Sequence, residues 1–308
     1  MRNQTFGVEI EMNNITRKNA AIVAAGFFGT NRYEYVGGSY QTWIAYDQNN
    51  EPWKFMYDGS IHGPADERCE CVTPILKYDD IERLQELIRV LRKAGAKSDA
   101  GRGCGVHIHV GVKALDGNNH TPQSLRNLAN IMAAHESLLA GAIKIDTIRM
   151  GQYCRPVDAK FLAEVNKKKP QTMTDLADVW YQSQGCEYGR TAHYNNSRYH
   201  MLNLHAVFTK GTVEFRLFQF DRPGHTYKGG LHAGKLKAYI QFCLAISAFA
   251  KSVTKASPKP QNTDNPKFAM RTWLVRMGMV GDEFATAREM LTKNLAGDAA
   301  WRHGRQVA

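Results

Sequence analysis

Between residues 5 and 12 apolar and polar side chains alternate, and similar strand-like runs recur at 33–36, 42–46, 53–57, 69–73, 106–111, 200–207 and 212–220. Helical periodicity is clearest over 80–94, where Ile81, Leu84, Leu87, Ile88 and Leu91 share one face. Thr121-Pro122 reads as an N-cap followed by proline at the first helical position, opening a helix to about residue 139. Shorter helices are predicted at 159–167 and 174–182, and a long one at 231–252. Strands and helices follow no regular βαβ rhythm. The pattern therefore predicts an α+β fold with a largely antiparallel sheet and inserted and flanking helices.

From 255 to 267 the chain reads KASPKPQNTDNPK, a proline-rich polar composition typical of linkers. A catalytic domain over 1–254, a linker over 255–267 and a small helical segment over 268–308, with helices at 268–277 and 282–294, are expected. Neither G-x-x-x-x-G-K-[ST] nor GxGxxG occurs, so the two commonest nucleotide-binding loops are absent.

Composition narrows the function less than the pattern does. With 308 residues, 43% hydrophobic and 22% charged, the chain can bury a substantial core. No apolar run approaches the roughly 20 residues that span a bilayer, and MRNQTFGVEIEM enters a strand pattern without a signal-peptide core. A cytoplasmic protein without a membrane partner is expected. Six cysteines without a CxxC pair read as reduced thiols. A net charge of +11 suits nucleic acid, nucleotide phosphates or an acidic substrate about equally. Its densest run, Lys167-Lys168-Lys169, reads as a solvated helix end.

Four short motifs carry the chemistry. In Phe6-Gly7-Val8-Glu9-Ile10-Glu11, Glu9 and Glu11 fall on one strand face, where two carboxylates repel unless a cation sits between them. Hard oxygen donors favour magnesium or manganese; an exposed strand face in water is the bland alternative. Next come the turn Asp58-Gly59-Ser60 and, in Cys69-Glu70-Cys71-Val72-Thr73-Pro74, the acid Glu70 interrupting an apolar strand, where it needs a partner such as a metal. Then Gly103-Cys104-Gly105-Val106-His107-Ile108-His109 puts two histidines on one face, a spacing also found in zinc enzymes. Finally Thr212-Val213-Glu214-Phe215-Arg216 pairs a carboxylate with a planar cation suited to phosphate oxygens, or simply with its own salt-bridge partner.

In combination and order, FGVEIE, WKFMYDGSI with CECVTPIL, GCGVHIHVG and TVEFRLF resemble the amidoligase family over about residues 5–250. That family lies among the carboxylate–amine ligases that share the glutamine synthetase and guanidino kinase catalytic core. The resemblance implies that Glu9, Glu11, Glu70, His107 and Glu214 ligate divalent metal, and that His109, Arg149, Arg198 and Arg216 contact nucleotide, with Arg216, Asp58 and Ser60 catalytic. Arg149 and Cys154 match the weaker R-x-x-x-Y-C element. The glutamine synthetase pattern has one further acid, for which Asp58, Asp66 and Glu67 are candidates.

The implied reaction is ATP- and magnesium- (or manganese-) dependent joining of a small-molecule or peptide carboxylate to an amine through an acyl phosphate. Three rivals remain. A guanidino-type phosphotransferase on the same core would release a stable phosphorylated product. A zinc hydrolase would leave Glu9, Glu11 and the Glu214/Arg216 pair unexplained. A non-catalytic basic nucleic-acid-binding protein accounts for the charge, but inward-facing acids repel phosphate, which argues against a nucleic-acid partner.

Overall fold

A computed structural model describes residues 1–221, 230–260 and 263–302. Its contacts divide the chain into two units, one of Thr5–Ile108 with Phe218–Lys237 and one of Met1–Gln4, His109–Leu217 and Ala238–Ala308.

The first unit is built on β1 (Gln4–Met12), which buries Phe6, Val8, Ile10 and Met12 while Gly7 and Glu9 stay half-exposed, as alternation requires. α1 (Arg17–Phe27) starts at Thr16, whose side chain accepts from Asn19 N, and buries Ala20, Ala21, Ala24 and Ala25. Then follow β2 (Tyr33–Gly37), β3 (Thr42–Tyr46), β4 (Pro52–Met56), β5 (Cys69–Val72) and α2 (Ile81–Lys93). The predicted stripe Ile81, Leu84, Leu87, Ile88 and Leu91 is the buried face of α2. β6 (Val106–Ala114) begins here and passes into the second unit after Ile108.

The β1–β5, β2–β3, β3–β4 and β4–β5 pairs are antiparallel. α1 packs on β3 and β4, where Phe28 lies 5.1 Å from Trp53. The face beneath it carries Trp53, Phe55 and Cys71, all 1% exposed or less. The opposite face presents Glu9, Lys54, Met56, Glu70 and Val72, none of them buried.

The second unit continues with α3 (Pro122–Ile143), α4 (Thr147–Gln152), α5 (Ala159–Lys168), α6 (Met173–Ser183), β7 (Leu202–Asn203), α7 (His205–Lys210), β8 (Thr212–Phe218), α8 (Ala233–Ser252), α9 (Pro266–Arg276) and α10 (Ala285–Thr292). β7 and β8 are antiparallel, and the eight strands hydrogen-bond in the order β2-β3-β4-β5-β1-β6-β8-β7. The mixed α/β composition and antiparallel pairing agree with the sequence pattern.

Differences are local. The strand expected at 200–207 shrinks to two residues, because Asn203 accepts from the His205 amide at 2.8 Å and turns the backbone into α7. Helices α1 and α4 lie where none was expected. Beyond the proline-rich stretch, of which 261 and 262 lie outside the described residues, the two helices pack on the second unit. Trp273 stacks on His135 of α3 at 3.9 Å and meets Phe242 of α8 edge-on at 5.4 Å, and Asn294 donates to the Ala142 carbonyl at 2.8 Å. Among the described residues no helix is long and apolar enough to cross a membrane.

Candidate active site

The first unit gathers five of the expected side chains. Glu11 and Glu70 stand directly opposite each other on β1 and β5, where like charges destabilise a sheet unless offset. His107 Nδ1 lies 3.1 Å from a Glu9 oxygen, and its Nε2 lies 3.6 Å from Glu11 Oε1. The Gly105 amide donates to the other Glu11 oxygen at 2.5 Å, fixing a carboxylate that is only 2% exposed.

The D-G-S turn brings in the fifth. Asp58 Oδ1 accepts from both the amide and the hydroxyl of Ser60 at 2.6 Å, so the serine orients the acid. This turn is held from below by Gly103, whose φ is +85° and where a Cβ would stand 2.5 Å from the Ser60 carbonyl oxygen. Only glycine fits both demands. Two sets result, Glu9–Glu70–His107 and Glu11–Asp58–Glu70, each offering donor atoms within 4.8 Å of one another and sharing Glu70. Oxygen-dominated donors with one imidazole fit a hard divalent cation. Of the three candidates for the additional acid, Asp58 joins Glu11 and Glu70. Asp66 and Glu67, in the short 3-10 turn Ala65–Glu67, belong to neither set.

The second unit assembles the remaining groups. Glu214 Oε1 accepts from Arg216 and lies 3.9 Å from His109 Nε2, while Asn203 donates to its other oxygen at 2.6 Å. Thr212 Oγ1 sits 2.8 Å from His109 Nδ1. Arg216 also reaches the Tyr153 carbonyl, and Arg149 donates to the Arg216 carbonyl at 2.8 Å. The guanidiniums of Arg198 and Arg216 both lie over Tyr199, 5.7 and 5.8 Å from its ring centre. Arg198 further covers Tyr194 and donates to the His193 carbonyl at 2.9 Å. Cys154 is buried, its thiol 3.6 Å from the Arg149 carbonyl.

Asn203 and Tyr199 are the members that motif reading passed over. Asn203 sits directly opposite Glu214 in the β7–β8 register, but a two-residue strand leaves little pattern to read.

A family model described as "Putative amidoligase enzyme" matches residues 2–247, four-fifths of the chain. The chain belongs to this family. No curated protein matches it. The amidoligase match takes in every motif residue described above and ends inside α8, so α9 and α10 lie beyond it.

Proposed function

We propose that this amidoligase joins a carboxylate to an amine at the expense of ATP, on a glutamine synthetase-like core, by way of an acyl phosphate. The observation that carries the reading is the pair of acid sets sharing Glu70. Four carboxylates and one imidazole, arranged in two sets that share Glu70, favour a bound divalent cation over a solvated acidic surface. Magnesium or manganese there supplies charge neutralisation along the phosphate chain.

Each residue then has a task. Glu11, Asp58 and Glu70 hold the side that faces the carboxylate substrate, and Ser60 keeps Asp58 turned inward. Glu9 and His107 hold the nucleotide side. In the second unit Glu214 anchors Arg216, whose fork offsets charge on the transferring phosphoryl group, and His109, Arg149 and Arg198 steady the nucleotide. A substrate carboxylate oxygen attacks the γ-phosphorus and ADP leaves; the amine attacks the acyl carbon and phosphate leaves. Water must be excluded between the two steps, since hydrolysis of the acyl phosphate wastes ATP. Dependence on ATP fits a cytoplasmic setting.

The test supplies hydroxylamine as the amine with a carboxylate panel, ATP and magnesium. A ligase releases ADP and phosphate and yields a hydroxamate from at least one carboxylate. A stable phosphorylated product without hydroxamate would favour the phosphotransferase instead.

A further inference from the structure

The acid-bearing face of the first unit's sheet continues past the acids. Register places Glu34, Ile44, Lys54, Val72 and Glu9 in one row across β2, β3, β4, β5 and β1. The neighbouring row runs Met56, Glu70, Glu11. Lys54 is therefore an exposed cation two strands from Glu9 and diagonal to Glu70, about 10 Å from Glu9 at the backbone given the usual strand spacing.

Its setting differs from that of an ordinary surface lysine. It stands on an inner strand of the sheet rather than at the rim, and its direct cross-strand neighbours are Ile44 and Val72 rather than acids. Three acids on this face are engaged elsewhere: Glu9 and Glu11 with His107, Glu34 with the Tyr46 hydroxyl. Among the described residues no acid stands within ion-pair distance of Lys54. Met56 and Val72, both half-exposed, form an apolar step between the ammonium and the acid sets.

We infer that Lys54 is a specificity residue for a dianionic substrate, a dicarboxylic acid whose reacting carboxylate lies over the Glu9–Glu70–His107 and Glu11–Asp58–Glu70 sets. Its short methylene chain crosses Val72 and Met56, and its second carboxylate meets the Lys54 ammonium. The inference rests on the ligase reading for which end reacts, but recognition of the second anion is measurable without turnover. A flexible ammonium with its stem on apolar side chains suits this task, tolerating several chain lengths.

Calorimetry with magnesium present compares glutarate with butyrate, which share an acyl chain of similar length and differ in the second carboxylate. Wild type binds glutarate at least tenfold more tightly; Lys54→Arg keeps that preference, and Lys54→Ala and Lys54→Glu abolish it. Equal affinity for the two acids in wild type, or an undiminished preference in Lys54→Ala, overturns the inference. Lys54 is exposed, so these variants fold, and their melting temperatures verify it. A Lys54-dependent preference accompanied by no carboxylate-stimulated phosphate release would sink the ligase reading while upholding the anion subsite.

Discussion

Glu70 is where the two acid sets meet, and that makes it the most informative residue for metal binding. Magnesium at about ten times its dissociation constant stabilises a folded protein by about 1.4 kcal/mol. Wild type should show the corresponding rise in melting temperature and Glu70→Ala almost none, while an equal rise in both removes Glu70 from the metal site. Arg216 poses a different question, because its bonds to Glu214 and Tyr153 are compatible with a purely structural part. Arg216→Lys keeps the charge and loses the planar fork, so ATP turnover should fall about a hundredfold with nucleotide affinity within a few-fold. A lowered melting temperature with normal turnover per folded molecule would assign Arg216 to structure alone. Gly103→Ala should destabilise by about 2 kcal/mol or more, from left-handed backbone and the collision with Ser60; an unchanged thermal midpoint would contradict that. At this scale period-two spacing put Glu9 and Glu11 on one strand face, and Glu70 stood out as an acid interrupting an apolar strand. The sequence left Asp58 as one of three candidates for the additional acid, beside Asp66 and Glu67, because a turn residue's direction depends on what lies beneath it, here Gly103.

Elements were legible where their signal was repetitive. The stripe of α2 and the Thr121-Pro122 start of α3 follow from spacing and capping and stand where expected. α1 was missed because its buried face is mostly alanine, which yields little contrast between sides. The 200–207 run was misread because apolar alternation says nothing of a side chain that captures the next amide, as Asn203 does. α9 and α10 looked like an appendage behind a linker, yet Met270, Trp273, Leu274 and Leu291 are buried by packing that no local pattern records. Truncation after Ser257 should therefore expose the faces of α3 and α8 that α9 and α10 cover and lower the melting temperature or yield insoluble protein. A truncated chain as stable as the full one would make those contacts incidental.

Across the whole molecule, stability also carries a pH signature. Burial raises the Glu136 carboxyl from its ordinary value of 4.5 to about 7, against the opposing bond from the Val157 amide. Because the folded-state value is the higher one, this group stabilises fully below about pH 4.5 and the contribution fades as pH rises through about 7. Glu136→Gln keeps an acceptor for Val157 and should flatten the decline in stability across that window relative to wild type; parallel profiles would show that Glu136 titrates normally.

A ligase is defined by the bond it makes. A mixture of dicarboxylic acids, amino acids and short peptides, incubated with the protein, ATP and magnesium, would be searched by mass spectrometry for new species. The expected product equals one carboxylate plus one amine less water, with ADP and phosphate formed in equal amount and the product lost when ATP is omitted. A condensation product that forms without ATP, or ATP consumed into a stable phosphorylated species with no amide, would contradict it.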